Sequence, residues 1–468
     1  MGVRMTESND LTQAEKPAKK YNILKVRDDS APLYFSKTDA DAFELRDETG
    51  ASWLDDGQLN YKALRKHIEP WLTALFQSEH LSLLAGSGLT HAVHMIATGK
   101  LAAGMAGNVS EGSYKDRIIA AANQSAKASG RDSSNIEDQI RVANELLRGL
   151  EIVQQLDKAA LLRKDISEAL ASLATAVLQS EKRIAEAKED ERERAFNALI
   201  TFLMSFSSRT GTRDRLNIFT TNYDRLIEAG AELAGLHLLD RFVGNLTPIF
   251  RSSRLDLDMH YNPPGIRGEP RYLEGVSRFT KLHGSVDWLQ TERDIRRIGL
   301  PFGADNVDAF LAAPGMGQLS SNQLMIYPNA AKDRETAEYP YVELFRDLAA
   351  AICRPNSTLV IYGYSFGDEH INRVIRDMLT IPSTHLVVIS MDDNLGRIQA
   401  LANERKSQVS ILVGPQLADL QILTEHFLPK AAIDRTTFRM AELLKQRYGT
   451  ERSEKKTAAE TESGGDNS

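Results

Sequence analysis

The chain has 468 residues, 42% of them hydrophobic and 26% charged, and its formal net charge is −7. These values are typical of a folded protein with room for more than one domain, and the acidic balance argues against a protein dedicated to direct nucleic-acid binding. Cys353 is the only cysteine, which excludes an intrachain disulfide and a cysteine-based zinc cluster and suits a reducing compartment.

The two ends of the chain have the composition of polar tails. Residues 1–20 and 450–468 are poor in apolar side chains, so we predict that both are disordered, with a C-terminal helix at 431–449 before the second tail. The first segment has no apolar core of a signal peptide, and no apolar run approaches the roughly 18 residues of a membrane span. We therefore expect a cytoplasmic protein without membrane contact.

The pattern of residues changes twice between 21 and 207. A short apolar run, Ile23–Val26, and an amphipathic stretch, Tyr61–Phe76, lie in a segment at 21–78 that we interpret as a cap or interface. Residues 114–207 are rich in Ala, Leu, Glu, Lys and Arg, have apolar residues three and four apart, and contain no proline. They predict a helical module inserted into a domain formed by 79–113 and 208–430.

That domain alternates strand and helix patterns. The predicted strands are Leu81–Leu84, Leu216–Phe219, Phe279–Leu282, Leu324–Tyr327, Thr358–Tyr362, His385–Ser390 and Val409–Val413. Helical patterns separate several of them, at Leu89–Ala97, Tyr341–Cys353, His370–Leu379 and Gln416–Phe427. Strands made of near-continuous Val, Ile and Leu with helices between them predict an α/β fold with a Rossmann-like parallel sheet covered on both faces.

Polar or glycine-rich residues follow four of these strands. Gly86-Ser87-Gly88 follows the first, Asn222-Tyr223-Asp224 the second, His283-Gly284-Ser285 the third and Gly363-Tyr364-Ser365 another. Ligands of open α/β sheets bind at the carboxyl ends of the strands, so we predict that these groups share one edge. A glycine turn before a helix suits a pyrophosphate, because the backbone can approach it and the helix amino terminus is positive.

Each of these motifs also has a purely structural explanation. A tight turn between strand and helix without any ligand would look like Gly86-Ser87-Gly88. Asp224 is a good helix cap, and Asn222 suits a turn. His283 is either a hydrogen-bonded structural group or a general base, since an imidazole titrates near neutral pH. The residues alone leave these alternatives open.

Taken together and in this order, the motifs resemble the sirtuin-like family over roughly residues 78 to 430, interrupted by the helical module. The sirtuin Gly-Ala-Gly loop corresponds to Gly86-Ser87-Gly88, the Asn-Asp site to Asn222 and Asp224, the His-Gly motif to His283-Gly284, and the adenosine-ribose loop to Gly363-Tyr364-Ser365. Within the family, Thr-Thr-Asn-Tyr-Asp, Lys-Leu-His-Gly-Ser, Ile326-Tyr327-Pro328 and Gly-Asp-Glu-His-Ile-Asn are similar to the bacterial antiphage branch. A chain with one cysteine lacks the four-cysteine zinc ribbon of the protein-deacylating members.

The resemblance implies a Rossmann-like fold without a zinc ribbon and an NAD hydrolase that uses NAD as substrate and needs no metal. Asn222, His283 and Asp224 are the catalytic residues that it implies. The implied NAD-binding residues are Gly86, Ser87, Gly88, Thr90, Thr221, Gly363, Ser365 and Ser390, with Ser390 standing where the family often has asparagine. Cleavage of the bond between nicotinamide and ribose would release nicotinamide and ADP-ribose.

The resemblance also implies partners. The antiphage branch is similar to sirtuin partners of HerA-type ATPases that destroy NAD during infection, so we expect a homo-oligomer and a HerA-type ATPase partner. The segment at 21–78 and the helical module are candidates for the assembly surfaces. Two other hypotheses remain: a non-catalytic sensor of NAD or ADP-ribose that regulates a partner, and a scaffold for an ATPase. Release of nicotinamide by the purified protein separates them from the enzyme.

Overall fold

The computed structural model of the protein describes residues 21–430, apart from gaps at 27–28, 40–41, 47–50, 52, 55–57, 104–108, 110–111, 129–130, 132, 210–212, 257–258, 262–270, 292, 308–309, 312–323 and 327–338. The predicted tails and the predicted helix at 431–449 lie outside the described residues.

The strands of this part of the chain group into three sheets. In chain order they are β1 (Asn22–Lys25), β2 (Leu33–Asp39), β3 (Ala42–Leu45), β4 (His80–Ala85), β5 (Asn217–Thr220), β6 (His237–Leu239), β7 (Phe242–Val243), β8 (Ile249–Phe250), β9 (His260–Tyr261), β10 (Arg271–Tyr272), β11 (Val276–Lys281), β12 (Gly284–Gln290), β13 (Ile295–Arg297), β14 (Leu324–Ile326), β15 (Ser357–Tyr362), β16 (His385–Ser390) and β17 (Val409–Val413).

The largest sheet has ten strands in the order β3-β2-β1-β17-β16-β15-β4-β5-β11-β6. Its centre, from β17 to β6, is parallel throughout, whereas β1, β2 and β3 extend one edge in antiparallel fashion. We number the strands from 1 to 6 along the chain, as β4, β5, β11, β15, β16 and β17. Their order across the sheet is then 3-2-1-4-5-6, which is the order of the doubly wound dinucleotide-binding fold. The direction of winding therefore reverses between β4 and β15.

Helices cover both faces of this sheet. In chain order the helices are α1 (Tyr61–Phe76), α2 (Ser87–Thr98), α3 (Lys115–Ala128), α4 (Ile136–Ile152), α5 (Leu156–Ala185), α6 (Glu189–Ser207), α7 (Leu226–Leu233), α8 (Tyr341–Ile352), α9 (Glu369–Met378), α10 (Arg397–Glu404), α11 (Pro415–Ala418) and α12 (Leu420–Ile422), followed by a π-helical turn at Leu423–Phe427. Buried side chains of α1, α2, α6 and α7 form one core with the sheet, and those of α8, α9 and α10 form another. The fold is thus three-layered.

The predicted helical module consists of α3, α4, α5 and α6, but these helices belong to two cores. The apolar side chains of α6, such as Phe202 and Phe206, are packed in the core on one face of the large sheet. Those of α3, α4 and most of α5 form a third cluster together with Tyr223, Val286 and Leu289. Helices α3 to α5 therefore pack against the residues that follow β5 and against β12.

A five-stranded antiparallel sheet has the order β14-β12-β13-β8-β7, with β7 and β8 before β11 in the chain and the other three strands after it. Its strand β12 begins at Gly284, where the backbone φ is +86°, a value that glycine adopts more readily than other residues. The chain therefore turns sharply out of the large sheet directly after His283. The remaining pair of strands, β9 and β10, is a separate antiparallel ladder.

The structure confirms the α/β fold with a parallel central sheet. The predicted strands and the helices at 89–97, 341–353 and 370–379 lie within a few residues of their observed bounds, and Tyr327 lies outside the described residues. The single helix predicted at Gln416–Phe427 is wrong. Asp419 interrupts it with extended backbone, at φ −55° and ψ 132°, and its side chain accepts hydrogen bonds from the amides of Gln421 and Ile422 to start α12.

Candidate active site

Five neighbouring parallel strands end at the same level and form one rim. In the strand register Ala85 of β4 pairs with Thr220 of β5 and with Tyr362 of β15, and Thr220 pairs with Lys281 of β11. On the far side, Tyr362 pairs with Ile389 of β16. The motifs predicted from the sequence directly follow these residues, so the structure brings them to one edge, on both sides of the reversal between β4 and β15.

Gly86, Gly88 and Gly363 hold the backbones after β4 and β15 in direct contact. A Cβ atom on Gly86 would lie 2.5 Å from the Gly363 carbonyl oxygen, and one on Gly88 would lie 2.5 Å from the Gly363 Cα. The amides of Gly86 and Gly88 donate to the carbonyls of Tyr362 and Gly363, each at 2.9 Å. Because these two amides already have backbone acceptors, they are not free to bind a phosphate. The two glycines instead allow the backbones of the two turns to pack closely at the rim.

Asn222 and Asp224 are joined to the glycine turn through Thr90. The Asn222 Nδ2 donates to the Gly86 carbonyl at 2.9 Å and to the Thr90 Oγ1 at 3.0 Å. The Thr90 hydroxyl in turn donates to the Asp224 Oδ2 at 2.5 Å. The other carboxylate oxygen of Asp224 accepts from the Leu226 amide at 3.1 Å, at the start of α7. Asp224 therefore contacts both the first amide of α7 and, through Thr90, the turn at the rim.

His283 is paired with a buried carboxylate. Its Nε2 lies 2.9 Å from the Asp368 Oδ2, and the side chains are 14% and 4% exposed. The Asp368 Oδ1 accepts from the His370 amide at 2.9 Å and so caps α9. Because a carboxylate accepts, the proton of the neutral imidazole lies on Nε2 and Nδ1 is the basic nitrogen.

Asp368 is a residue of the rim that the sequence alone did not identify as a candidate. The acid before a helix was explained as a cap, which it is, and no spacing linked it to a histidine 85 positions earlier. The tyrosine of the Gly363-Tyr364-Ser365 turn also supports it, since the Tyr364 hydroxyl accepts from the Asp368 amide at 3.2 Å. The only signal in the sequence was an acid before a helix at the predicted sheet edge, which did not distinguish a partner of His283 from an ordinary cap.

His283 and Asn222 stand at the ends of adjacent strands. Each lies two residues beyond the register pair Thr220 and Lys281. Tyr223 connects their segments: its carbonyl accepts from the Val286 amide at 3.0 Å, and its ring centre lies 6.4 Å from that of His283. The side chains of Asn222 and His283 were predicted to lie close together, and the two residues follow the ends of adjacent strands.

The remaining predicted contact residues lie at the ends of β4, β5, β15 and β16. Ser87 and Ser365 are exposed, and Thr221 is half-buried. Ser390 is buried and its hydroxyl accepts from the Asn394 Nδ2 at 3.1 Å. Asn394, four positions later, therefore supplies a side-chain amide beside Ser390, at the place where the family often has asparagine.

A buried ion pair lies next to the rim. The Lys281 Nζ contacts the Glu228 Oε1 at 3.0 Å and also donates to the Asp224 carbonyl. Burial raises the pKa of Glu228 to about 7, although Lys281 opposes the shift. Burial also lowers the pKa of His91, which directly follows Thr90 in α2.

Among the described residues, no group of three or more His, Cys, Asp or Glu side chains could hold a metal ion. In the same part of the chain, no helix is long and apolar enough to cross a membrane.

The strand order and the rim define a doubly wound α/β protein of the dinucleotide-binding class. The particular relationship comes from residues 216–412, which match the family model of the SIR2-like domain. The match covers Asn222, His283, Asp368 and Ser365, whereas the glycine turn after β4 precedes it. It supports the sirtuin-like resemblance and indicates an activity related to NAD. A search of curated proteins found no match for the chain.

Proposed function

We propose that the protein is an NAD glycohydrolase that cleaves the bond between nicotinamide and ribose. The pairing of His283 with Asp368, at the strand end next to Asn222, is the observation that carries this proposal. It provides a basic imidazole nitrogen and a carboxamide at the rim where ligands of this fold bind. The SIR2-like match over 216–412 supports NAD as the substrate.

In the proposed reaction the C1′–N bond breaks and nicotinamide leaves as a neutral molecule with the bonding electron pair. The oxygen of a water molecule bonds to C1′, which gives ADP-ribose, and one proton of that water passes to His283 and then to solvent. Asp368 keeps the other imidazole nitrogen protonated and stabilises the imidazolium that forms. Asn222 orients the ribose hydroxyls or the water, and Asp224 contributes negative charge near the developing cation.

The other rim residues would hold the rest of NAD. Gly86, Gly88 and Gly363 keep the two loops close enough for the pyrophosphate to pass over them, with Ser87 and Thr90 at the start of α2. Ser365 and Ser390 receive the adenosine half, and Thr221 lies between the two halves. No metal is needed, because the leaving group is already cationic in NAD.

The biological setting that we propose follows from the family resemblance. Depletion of NAD would stop infected cells in an abortive antiphage response, in the cytoplasm. The protein would act as a homo-oligomer with a HerA-type ATPase that restrains or triggers it, because a constantly active NADase is toxic. Incubation with NAD, with and without the product of the neighbouring gene, tests this part through the change in nicotinamide release.

Nicotinamide release by purified variants tests the chemistry. We expect His283→Ala and Asn222→Ala to fold and to lose about 10²- to 10⁴-fold in turnover, the range for a positioned acid–base group. His80→Ala is the matched control, because His80 forms a similar pair with Asp214, at 3.0 Å and 16% exposed, at the opposite end of β4. Parental rates in all three variants would show that the assignment is wrong. A protein that binds NAD without releasing nicotinamide would be a sensor.

A further inference from the structure

The helical module holds the two residues on either side of Asp224. The Tyr223 hydroxyl donates to the Glu137 Oε1 at 2.9 Å, and Glu137 lies in the first turn of α4. The carboxylate of Glu181, near the end of α5, accepts from the Arg225 backbone amide at 2.8 Å. Two carboxylates from two helices of the module therefore reach the same short segment after β5.

The contact between Glu181 and Arg225 is almost completely shielded from water. Their side chains are 1% and 8% exposed, and the Glu181 Oε1 also accepts from the Arg225 Nε at 3.2 Å. The guanidinium donates further to the carbonyls of Leu300 and Pro301. Burial raises the pKa of Glu181 and Arg225 opposes this, so each charge depends on the other.

The four residues Asn222 to Arg225 alternate between two sets of partners. Asn222 and Asp224 contact the glycine turn and Thr90 at the rim. Tyr223 and Arg225 contact the module. Because the two sets of contacts alternate within four consecutive residues, we expect a shift of the module partners to move the backbone that carries the two rim residues.

We propose that the helical module is a positioning element of the active site, in which Glu137 and Glu181 set the geometry of Asn222 and Asp224 through Tyr223 and Arg225. This inference rests on the proposed NADase function for its effect on turnover, but the contact itself does not depend on that function. A partner that shifts α4 or α5 would change turnover without touching NAD. Glu137 and Glu181 are positioning residues, because neither contacts the rim groups directly.

Removal of single polar groups tests the positioning effect. Tyr223→Phe removes the donor of the hydrogen bond between Tyr223 and Glu137, and Glu137→Ala removes its acceptor, while the ring and the helix remain. We expect kcat for nicotinamide release to fall about 10- to 100-fold in Tyr223→Phe, with the KM for NAD nearly unchanged, because misplacement of catalytic groups affects the chemical step. The double variant should be no slower than Tyr223→Phe alone, since both changes remove the same contact. Ser125→Ala, which removes a hydroxyl bound to Arg141 inside the module, should keep parental kinetics.

Hydrogen exchange of the segment gives a readout that does not need activity. In Tyr223→Phe and Glu181→Gln, the amides from 222 to 226 should exchange roughly three- to tenfold faster, which is the ratio expected for loss of one hydrogen bond. Exchange across the large sheet should not change. Parental exchange of the segment in both variants would overturn the proposal, whatever the turnover. A wild-type protein that releases no nicotinamide, yet shows the faster exchange in the variants, would refute the NADase function and leave the contact with the module established.

Discussion

Replacement of Asp368 by asparagine isolates the role of the carboxylate beside His283. The amide keeps a side-chain oxygen that accepts from the His370 amide, so the cap of α9 is preserved. Its nitrogen, however, can only donate toward the imidazole. The Nε2 of His283 must then become the acceptor, and the proton moves to Nδ1, which can no longer act as a base.

The expected loss follows from the geometry. A hydrogen bond between a charged group and an imidazole at 2.9 Å contributes about 1.5–3 kcal/mol. Retaining the active tautomer would force two donors to face each other in a site where the acid is 4% exposed, which costs about another 1–3 kcal/mol. The sum of about 2.5–6 kcal/mol corresponds to about 10²- to 10⁴-fold in turnover. The free energy of unfolding should change by less than about 1 kcal/mol, because the amide still bonds to His283.

The assay is the initial rate of nicotinamide release at saturating NAD, with chemical denaturation to check stability. Asp419→Asn is the matched control, since Asp419 caps α12 and makes no contact with a histidine. Turnover of Asp368→Asn within a few-fold of the parent, with an intact fold, would refute the idea that Asp368 sets the tautomer of His283. An equal loss in both asparagine variants would point to the helix caps instead.

Two further predictions concern the surroundings of the site. Gly88→Ala should lower the free energy of unfolding by about 2 kcal/mol or more, because its Cβ would lie 2.5 Å from the Gly363 Cα. The control Gly149→Ala, whose Cβ would have no atom within 4 Å, should raise the free energy of unfolding by about 0.5–1 kcal/mol. Denaturation curves that show equal effects of the two substitutions would contradict the close packing at Gly88. Burial raises the pKa of Glu228 from 4.5 to about 7, so the folded state binds a proton that the unfolded chain has lost, and stability falls as the pH rises through that interval. The shift corresponds to roughly 3 kcal/mol, reduced somewhat because a quarter of the side chain is exposed. Glu228→Gln should therefore match the parent near pH 4 and exceed it at pH 8 by about 2–3 kcal/mol. A difference that is the same at both pH values would argue against the shift.

The sequence predicted the parts of the fold that depend on local patterns. The buried strands of the large sheet are continuous apolar runs, and β16 and β17 have the predicted bounds. The antiparallel extension by β2 and β3 was not predicted, because their exposed residues weaken the apolar signal. The break at Asp419 was also missed, since one cap residue inside an apolar helical pattern changes the path of the chain without changing the pattern.

The same division applies to the site. Residues that follow strands, such as Asn222 and His283, could be found because strand ends in a parallel sheet meet at one edge. Their partners could not, because Asp368, Glu137 and Glu181 lie far from them in sequence and have ordinary helical explanations. Sequence spacing identifies groups that the sheet aligns, whereas contacts made through helix ends depend on how the helices pack.

The contacts on the two sides of Asn222–Arg225 join the helical module to the large sheet. On one side, Asn222 and Asp224 bond to Gly86 and Thr90, whose positions depend on the contact between β4 and β15. On the other, Tyr223 and Arg225 bond to α4 and α5. A segment with hydrogen bonds on both sides has little freedom to adjust, which is what a site needs if its chemistry depends on positioning. For the same reason, a small displacement of either side should be sufficient to alter the rate of nicotinamide release. Of the two sides, helices α3 to α5 share the smaller part of their buried core with the large sheet.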